Sequence, residues 1–334
     1  MEDKNSSTNN FNRSTVIGFL SVIAFSVIIG GLFFSSHPEG VNNRFVQTPT
    51  GPQEVYFTAA QLPEKLDFAG EAVPLENFDV KESLDRELLS VTNFHSQELL
   101  YLKKTNRYFS IIEPILKKNE VPDDFKFLAL AESGFLDKII SPAGAVGIWQ
   151  FMKSAAMENG LEVNEEVDER YHIEKATQAA CNYLKNSFEK YKSWTLVAAS
   201  YNAGIGGMNR QIEVQDSKNY YDLLLNEETS RYVFRILALK LVVSEPEKYG
   251  FRMSEREKYP IIPFSEVKVT GSVNSFTDFA RANNVNYKLL KQFNPWLRQP
   301  YLKNPKGKTY IVKIPEVGKY HSFVFSDNAN SSDL

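Results

Sequence analysis

The sequence predicts a mainly helical protein with an apolar N-terminal span and a small C-terminal β-α-α-β module. Three patterns predict it. An uncharged run lies near the N-terminus, apolar residues recur at spacings of three and four across residues 81–244, and short alternating segments follow Pro260 and Pro263.

The first element is a membrane span. No charged residue lies between Ser14 and Ser36, and residues 16–34 read VIGFLSVIAFSVIIGGLFF, apolar but for two serines. At about 1.5 Å per residue this run is roughly 28 Å long as a helix, close to the ~30 Å of a bilayer core. The small residues that follow it form no Ala-x-Ala-like site, so an uncleaved anchor is expected rather than a removed signal peptide. Lys4 and Arg13 precede the span and Glu39 and Arg44 follow it. The positive-inside rule then makes 1–15 a cytoplasmic terminus, 16–34 the transmembrane anchor, and everything after it extracytoplasmic. Residues 35–80, with Pro38, Pro49, Pro52, Pro63 and Pro74, read as a tether, part of which packs back through Val55, Tyr56, Phe57 and Phe68.

Composition excludes several functions. With 38 Lys and Arg against 41 Asp and Glu, the net charge of −3 lacks the basic excess of a nucleic-acid binder. A single cysteine, Cys181, rules out an intrachain disulfide framework and a cysteine-rich zinc site, and the four histidines are far apart. No Gly-x-Ser-x-Gly elbow occurs, and the glycines at 204–207 and 307 fit turns better than phosphate loops.

The helical body is expected over 81–255. Ala176, Ala179, Ala180, Tyr183, Leu184 and Phe188 form one apolar stripe, with Cys181 beside it as a small buried thiol. Phe234, Leu237, Leu241 and Val242 form another before Pro246 ends that helix. A third helix follows Pro122, with Asp123 and Asp124 suited to its first turn, and runs through FKFLALAES to a stop at Gly134. It leaves almost no polar face, so it should be buried nearly all round. Glu132 stands in its last turn on the stripe of Phe125, Leu128 and Ala129. A carboxylate there is either paired structurally or kept partly protonated by apolar surroundings, and the helix alone leaves both readings open.

The C-terminal module, residues 264–316, is expected to run from a strand at 266–269 through a helix capped by Ser275 and a second helix near 287–293 to a strand at 310–315. Trp296 to Lys306 makes a long connection to that last strand. Residues 317–334 read as a tail.

The neighbours of Glu132 carry a resemblance. Residues 131–135 read AESGF, 141–152 SPAGAVGIWQFM, 167–184 VDERYHIEKATQAACNYL, 200–204 SYNAG and 228–238 ETSRYVFRILA. In that order they resemble the Slt-type lytic transglycosylases related to goose-type lysozyme, over about 95–250. The resemblance implies a lysozyme-like domain in which Glu132 is the catalytic acid and base, with Ser133 beside it. It implies that Gln150 and Met152 line a glycan cleft, that Gly144 and Gly147 let the loop approach the sugar, and that Tyr201, Asn202 and Tyr232 complete the site. Trp149, Phe151 and Tyr232 fit packing about as well as function. Lys153 and His172 depart from the family pattern, both at helix entrances, where local capping differences are expected.

The family's reaction cleaves the β-1,4 bond between N-acetylmuramic acid and N-acetylglucosamine in peptidoglycan and closes a 1,6-anhydro ring, with no metal or organic cofactor. The implied partners are glycan strands and the membrane, not nucleic acid, with the body periplasmic in a Gram-negative envelope. The C-terminal module resembles a lysin motif, either binding glycan or capping the catalytic domain. Two other readings are a hydrolytic goose-type lysozyme, with Asp137 or Glu158 as base for water, and an inactive wall-binding scaffold. The set Glu132, Gln150 and Asn202 argues against the scaffold.

Overall fold

The computed structural model describes residues 59–316. The anchor expected at 16–34, most of the tether and the tail lie outside the described residues, and among the described residues no helix is long and apolar enough to cross a membrane.

The described chain opens with a short antiparallel hairpin, β1 (Asp67–Phe68) and β2 (Glu71–Ala72), that is tied to the helical body. Phe68 is fully buried with its ring edge-on to Phe125. The Glu71 carboxylate accepts from the Thr195 amide at 2.9 Å, the Thr195 hydroxyl at 2.6 Å and the Ser193 hydroxyl at 2.9 Å. These groups lie at the start of a helix, where unpaired amides and the helix dipole favour an anion.

The body contains α1 (Phe78–Asn93), α2 (His95–Lys118), α3 (Phe125–Ser133), α4 (Lys153–Glu158), α5 (Ile173–Tyr191), α6 (Trp194–Ala203), α7 (Ile205–Gln215) and α8 (Glu227–Ser244). Helix α8 packs against α1, α3 and α6, while α5 packs against α2 and α6. The expected stripes face this core: Ala176, Ala179, Ala180 and Leu184 on α5 and Leu237, Leu241 and Val242 on α8 are buried. Cys181 is buried too, and burial pushes its thiol up to about 12, as suits an inert packing residue. Helix α3 is enclosed nearly all round, with Phe125, Phe127, Leu128, Ala129 and Leu130 buried and Gly134 ending it at φ 55°. Its two leading acids serve elsewhere than in a cap. Asp124 accepts from the Ala69 amide and from Lys240, both at 2.7 Å, and Asp123 pairs with Lys126. Lys153 opens α4 and His172 precedes α5, so both departures from the family pattern sit at helix entrances.

The C-terminal module pairs β3 (Phe264–Val269) antiparallel with β4 (Tyr310–Pro315) and places α9 (Phe276–Ala282) and α10 (Tyr287–Phe293) between them in sequence. Ser275 caps α9 by accepting from the Asp278 amide. The long connection after Trp296 is used in docking. The Asp168 amide donates to the Trp296 carbonyl at 2.9 Å, the Arg298 amide to the Glu166 carbonyl at 2.8 Å, and Val167 bridges Leu297. Val146, Val167 and Tyr171 of the body share one apolar cluster with Phe276, Leu290, Trp296 and Val312 of the module. Arg298 lies 4.1 Å from the centre of the Tyr171 ring. The module is therefore built onto the body, whatever else it binds.

Two outcomes follow from this shared core. Body and module should melt in one transition, and Trp296→Ala should destabilise both together by about 3–5 kcal/mol, the usual cost of truncating a buried tryptophan; separate calorimetric transitions would show an independent module. Across the interface Glu174 pairs with Lys313, and its Oε2 lies 3.2 Å from His172 Nδ1. Burial pushes the Glu174 carboxyl up, but His172 and Lys313 outweigh it and hold it at about 2. A depressed pKa adds stability above the unfolded value of about 4.5 that is lost as pH falls toward 2. Denaturation should therefore show the full docking contribution at pH 6 and only part of it at pH 3, and Glu174→Gln should flatten that difference.

Candidate active site

Glu132 stands at the C-terminal end of α3, and Tyr232 reaches it from the second turn of α8, its hydroxyl donating to Glu132 Oε1. Burial is the main influence on the carboxyl and raises it, the Tyr232 hydrogen bond and the positive charge of Arg235 lower it, and the negative charge of Glu228 raises it. The balance is a pKa of about 7. Burial and the adjacent carboxylate keep the Tyr232 hydroxyl well above its ordinary range, so it stays a donor. With Oε1 held by Tyr232, Oε2 is the oxygen left to carry a proton outward.

Asn202, at the end of α6, bonds the first turn of α8. Its carbonyl oxygen accepts from the Thr229 hydroxyl at 2.9 Å, and its amide donates to Glu228 Oε1 at 3.2 Å. Tyr201 lies within reach of the Glu132 charge; burial first, and then that charge, keep its hydroxyl protonated. Its hydroxyl donates to the Trp149 carbonyl at 2.7 Å and its ring packs edge-on to Tyr183, so it fixes the loop before α4.

That loop, residues 144–152, is shaped by opposed backbone hydrogen bonds between Val146 and Phe151 and by Arg170. The Arg170 guanidinium is held by Asp168 and donates to the carbonyls of Gly144 and Phe151, each at 3.2 Å. Gln150 takes a left-handed φ of 46°, with its side-chain amide donating to the Gly147 carbonyl at 2.7 Å. A non-glycine residue in that region is strained, which is more common at functional positions. Met152 follows, 44% exposed.

The structure thus brings Glu132 and Tyr232 into direct contact and ties Asn202 to Glu228, whose charge acts on Glu132, while Gln150 and Met152 lie in the loop that Tyr201 fixes. Two residues are used differently from what the family resemblance implies. Ser133 is buried, donating to the Ala129 carbonyl at 3.0 Å and accepting from the Phe135 amide at 3.1 Å, so its hydroxyl ends the helix. Gly147 is buried, and a Cβ there would collide with the Arg170 carbonyl, so packing accounts for the glycine. Trp149 is fully buried, its indole donating to the Thr177 hydroxyl at 2.9 Å, and Phe151 is also buried. Glu158 ends α4 at the surface, and Asp137 lines a cavity of about 410 Å³ between body and module with Tyr108, Tyr171 and Trp296.

Sequence reasoning missed Glu228 and Arg235, which set the charge around Glu132, and Arg170, which holds the loop. A signal for Glu228 existed: it precedes Tyr232 by four residues, which places both on one helix face.

Residues 109–224 match the family model described as Transglycosylase SLT domain, and residues 265–318 match the Soluble lytic transglycosylase C-terminal LysM-like domain. The chain therefore carries a mainly helical, lysozyme-like SLT domain followed by a LysM-like domain. Among curated proteins it is 24% identical over 264 residues to membrane-bound lytic murein transglycosylase D of Escherichia coli K12, covering 78% of this chain and 56% of that protein. The same protein of Escherichia coli O6:H1 matches equally. The chain thus spans little more than half the length of these relatives. Of solved structures, an inactive mutant of the lytic transglycosylase Slt of Pseudomonas aeruginosa aligns at TM-score 0.34 and 16% identity, over 46% of this chain and 26% of that one. The 70 kDa soluble lytic transglycosylase of Escherichia coli aligns at TM-score 0.38 and 18% identity, over 52% and 32%.

The opposing influences on Glu132 can be separated by following its carboxyl by carbon NMR. Tyr232→Phe removes a donor to the ionised form and should move the midpoint above 7, whereas Glu228→Gln removes a like charge and should move it below. Shifts of the same sign in both variants would contradict this arrangement.

Proposed function

We propose that the protein is a peptidoglycan lytic transglycosylase that cleaves the β-1,4 bond between N-acetylmuramic acid and N-acetylglucosamine and leaves a 1,6-anhydromuramoyl end. The observation that carries the reading is Glu132, a half-buried carboxyl poised near neutrality and held by one oxygen, within the segment matched by the SLT family model. A group that must first be acid and then base is served by a pKa near the working pH.

In this reading Glu132 donates its proton to the glycosidic oxygen as the bond to the anomeric carbon breaks. The acetamido carbonyl of the muramic acid stabilises the positive centre. The Glu132 carboxylate then removes the proton of the C6 hydroxyl, whose oxygen bonds to the anomeric carbon and closes the anhydro ring. Tyr232 fixes the carboxyl and steadies its ionised form, Gln150 and Met152 face the glycan, and Asn202 orients Glu228. Ser133, Gly147 and Tyr201 serve by holding the helix end and the loop in place. The LysM-like module supports attachment to peptidoglycan as well as docking.

We also propose that residues 16–34 anchor the chain in the cytoplasmic membrane, with the tether over 35–80, the catalytic domain over 81–255 and the module over 264–316 on the extracytoplasmic side. The apolar span supports this, as do curated relatives named as membrane-bound.

A second reading, hydrolysis as in a lysozyme, is favoured by one observation: Glu228 is a second carboxylate acting on Glu132. A water between them would replace the C6 hydroxyl.

Product analysis decides. Wild-type digestion of purified peptidoglycan should yield anhydro ends, one water lighter than hydrolysed ends, and Glu132→Gln should lower turnover by at least about 10²–10⁴ while binding persists. Reducing ends would establish the lysozyme reading, and an active Glu132→Gln protein would remove Glu132 from the mechanism. Activity should also fall as pH rises through about 7, because Glu132 must begin protonated.

A further inference from the structure

The backbone just after Glu132 is strained. Gly134 and Phe135 follow one another in the left-handed region, at φ 55° and 53°, and for a bulky residue such as Phe135 that conformation is a genuine outlier. Strain of this kind lasts only where the surroundings over-determine it. Helix α2 supplies those surroundings through Tyr101, Lys104 and Tyr108, spaced three and four apart on one face. The Tyr101 ring fills the place that a Cβ on Gly134 would need. The Lys104 ammonium donates to the Gly134 carbonyl at 2.8 Å, and the Tyr108 ring stacks on that of Phe135 with 4.8 Å between centres.

Lys104 is the member of this set that packing does not explain. It is 9% exposed, and among the described residues its ammonium makes one hydrogen bond and no ion pair. Burial lowers its pKa, and the charge of Asp137, beyond Gly134, partly offsets that. A buried cation that leaves donors unused is costly, and an apolar side chain of similar length would fill the space without that cost. What the ammonium offers instead is a positive charge on the C-terminal end of α3. The helix dipole is negative there, and Glu132 must carry its own negative charge at that end once its proton has left. Glu132 itself is faced by Tyr232, Glu228 and Arg235 from α8 and by Tyr201 from α6, whereas Lys104 is faced by Asp137.

We propose that Lys104 is a positioning residue of the reaction: from α2 it fixes the strained turn that ends α3, and its charge offsets the negative helix end so that Glu132 can release its proton to the glycosidic oxygen. It acts through the Gly134 carbonyl and touches no substrate. This rests on the reading of Glu132 as the acid and base of a transglycosylase.

The test uses the full-length protein in detergent micelles, with the Glu132 carboxyl followed by carbon NMR and turnover of soluble glycan strands measured across pH. Lys104→Met, close to lysine in length but uncharged, should raise the Glu132 midpoint by about half a pH unit, the size of a helix-end charge effect. It should lower kcat about tenfold while KM stays within about twofold. The alkaline fall in activity should move up with the midpoint, because a carboxyl of higher pKa stays protonated to higher pH. A merely structural role would lower activity at every pH and leave the midpoint in place. An unmoved midpoint in folded Lys104→Met, or an unchanged kcat, therefore overturns the assignment. If Lys104→Met fails to fold, Lys104→Gln, which keeps a donor without the charge, decides by the same midpoint. A midpoint that moves as expected, in a protein whose wild type cleaves no strand, would refute the transglycosylase reading and leave the hold of Lys104 on Glu132 standing.

Discussion

The hydrogen bond from Tyr232 to Glu132 joins α3 to α8, and the body is arranged so that it can exist. A carboxyl at the end of a nearly all-apolar helix is costly to bury unless a donor meets it. Tyr232 can be that donor only because α8 packs against α3, α1 and α6 at once, which fixes its position along and around the helix axis. The N-terminal hairpin adds to this constraint from outside. Phe68 closes over Phe125, and Asp124, just before α3, accepts from both the Ala69 amide and Lys240 of α8.

Much of this was legible in the sequence. The apolar run from Phe125 to Ala131, stopped by Gly134, specifies a buried helix with Glu132 in its last turn, and the α5 stripe and the module's strands follow from their periods. Chemistry that depends on distant pairings was not legible. Ser133 reads as a polar neighbour of the acid until the Phe135 amide is seen to occupy it. Gly147 reads as an open approach until the Arg170 carbonyl is found where a Cβ would be. Glu228 reads as one more acid in a first helical turn. Its relation to Glu132, nearly a hundred positions away, is created by the packing of α8 on α3 and by the Asn202 amide at the end of α6.

The loop over 144–152 shows how the module enters the site's construction. Arg170 grips the loop at Gly144 and Phe151, and the segment that carries Arg170 is flanked by docking contacts, at Asp168 to Trp296 and at Tyr171 to Arg298. Val146, within the loop, is buried in the cluster that the module completes. The strained backbone at Gln150 is therefore held from below by the body, through Tyr201 and the Trp149 carbonyl, and from the side by a surface the module covers. This accounts for the connection after Trp296 being longer than a freely tethered β-α-α-β unit requires.

Four glutamates show why residue type alone could not rank the candidates. Glu71 meets a helix start and its hydroxyls, and Glu87 meets three arginines; each is surrounded by donors that make it part of the scaffold. Glu132 has one donor, one nearby cation and one like charge, a balance that leaves its proton exchangeable near neutrality. Glu98 has no partner on its buried oxygen, although Arg235 lines the same cavity. The order from Glu71 to Glu98 is one of decreasing compensation. A fully satisfied carboxylate has nothing left to offer, whereas one held in balance, as Glu132 is, can still give up its proton.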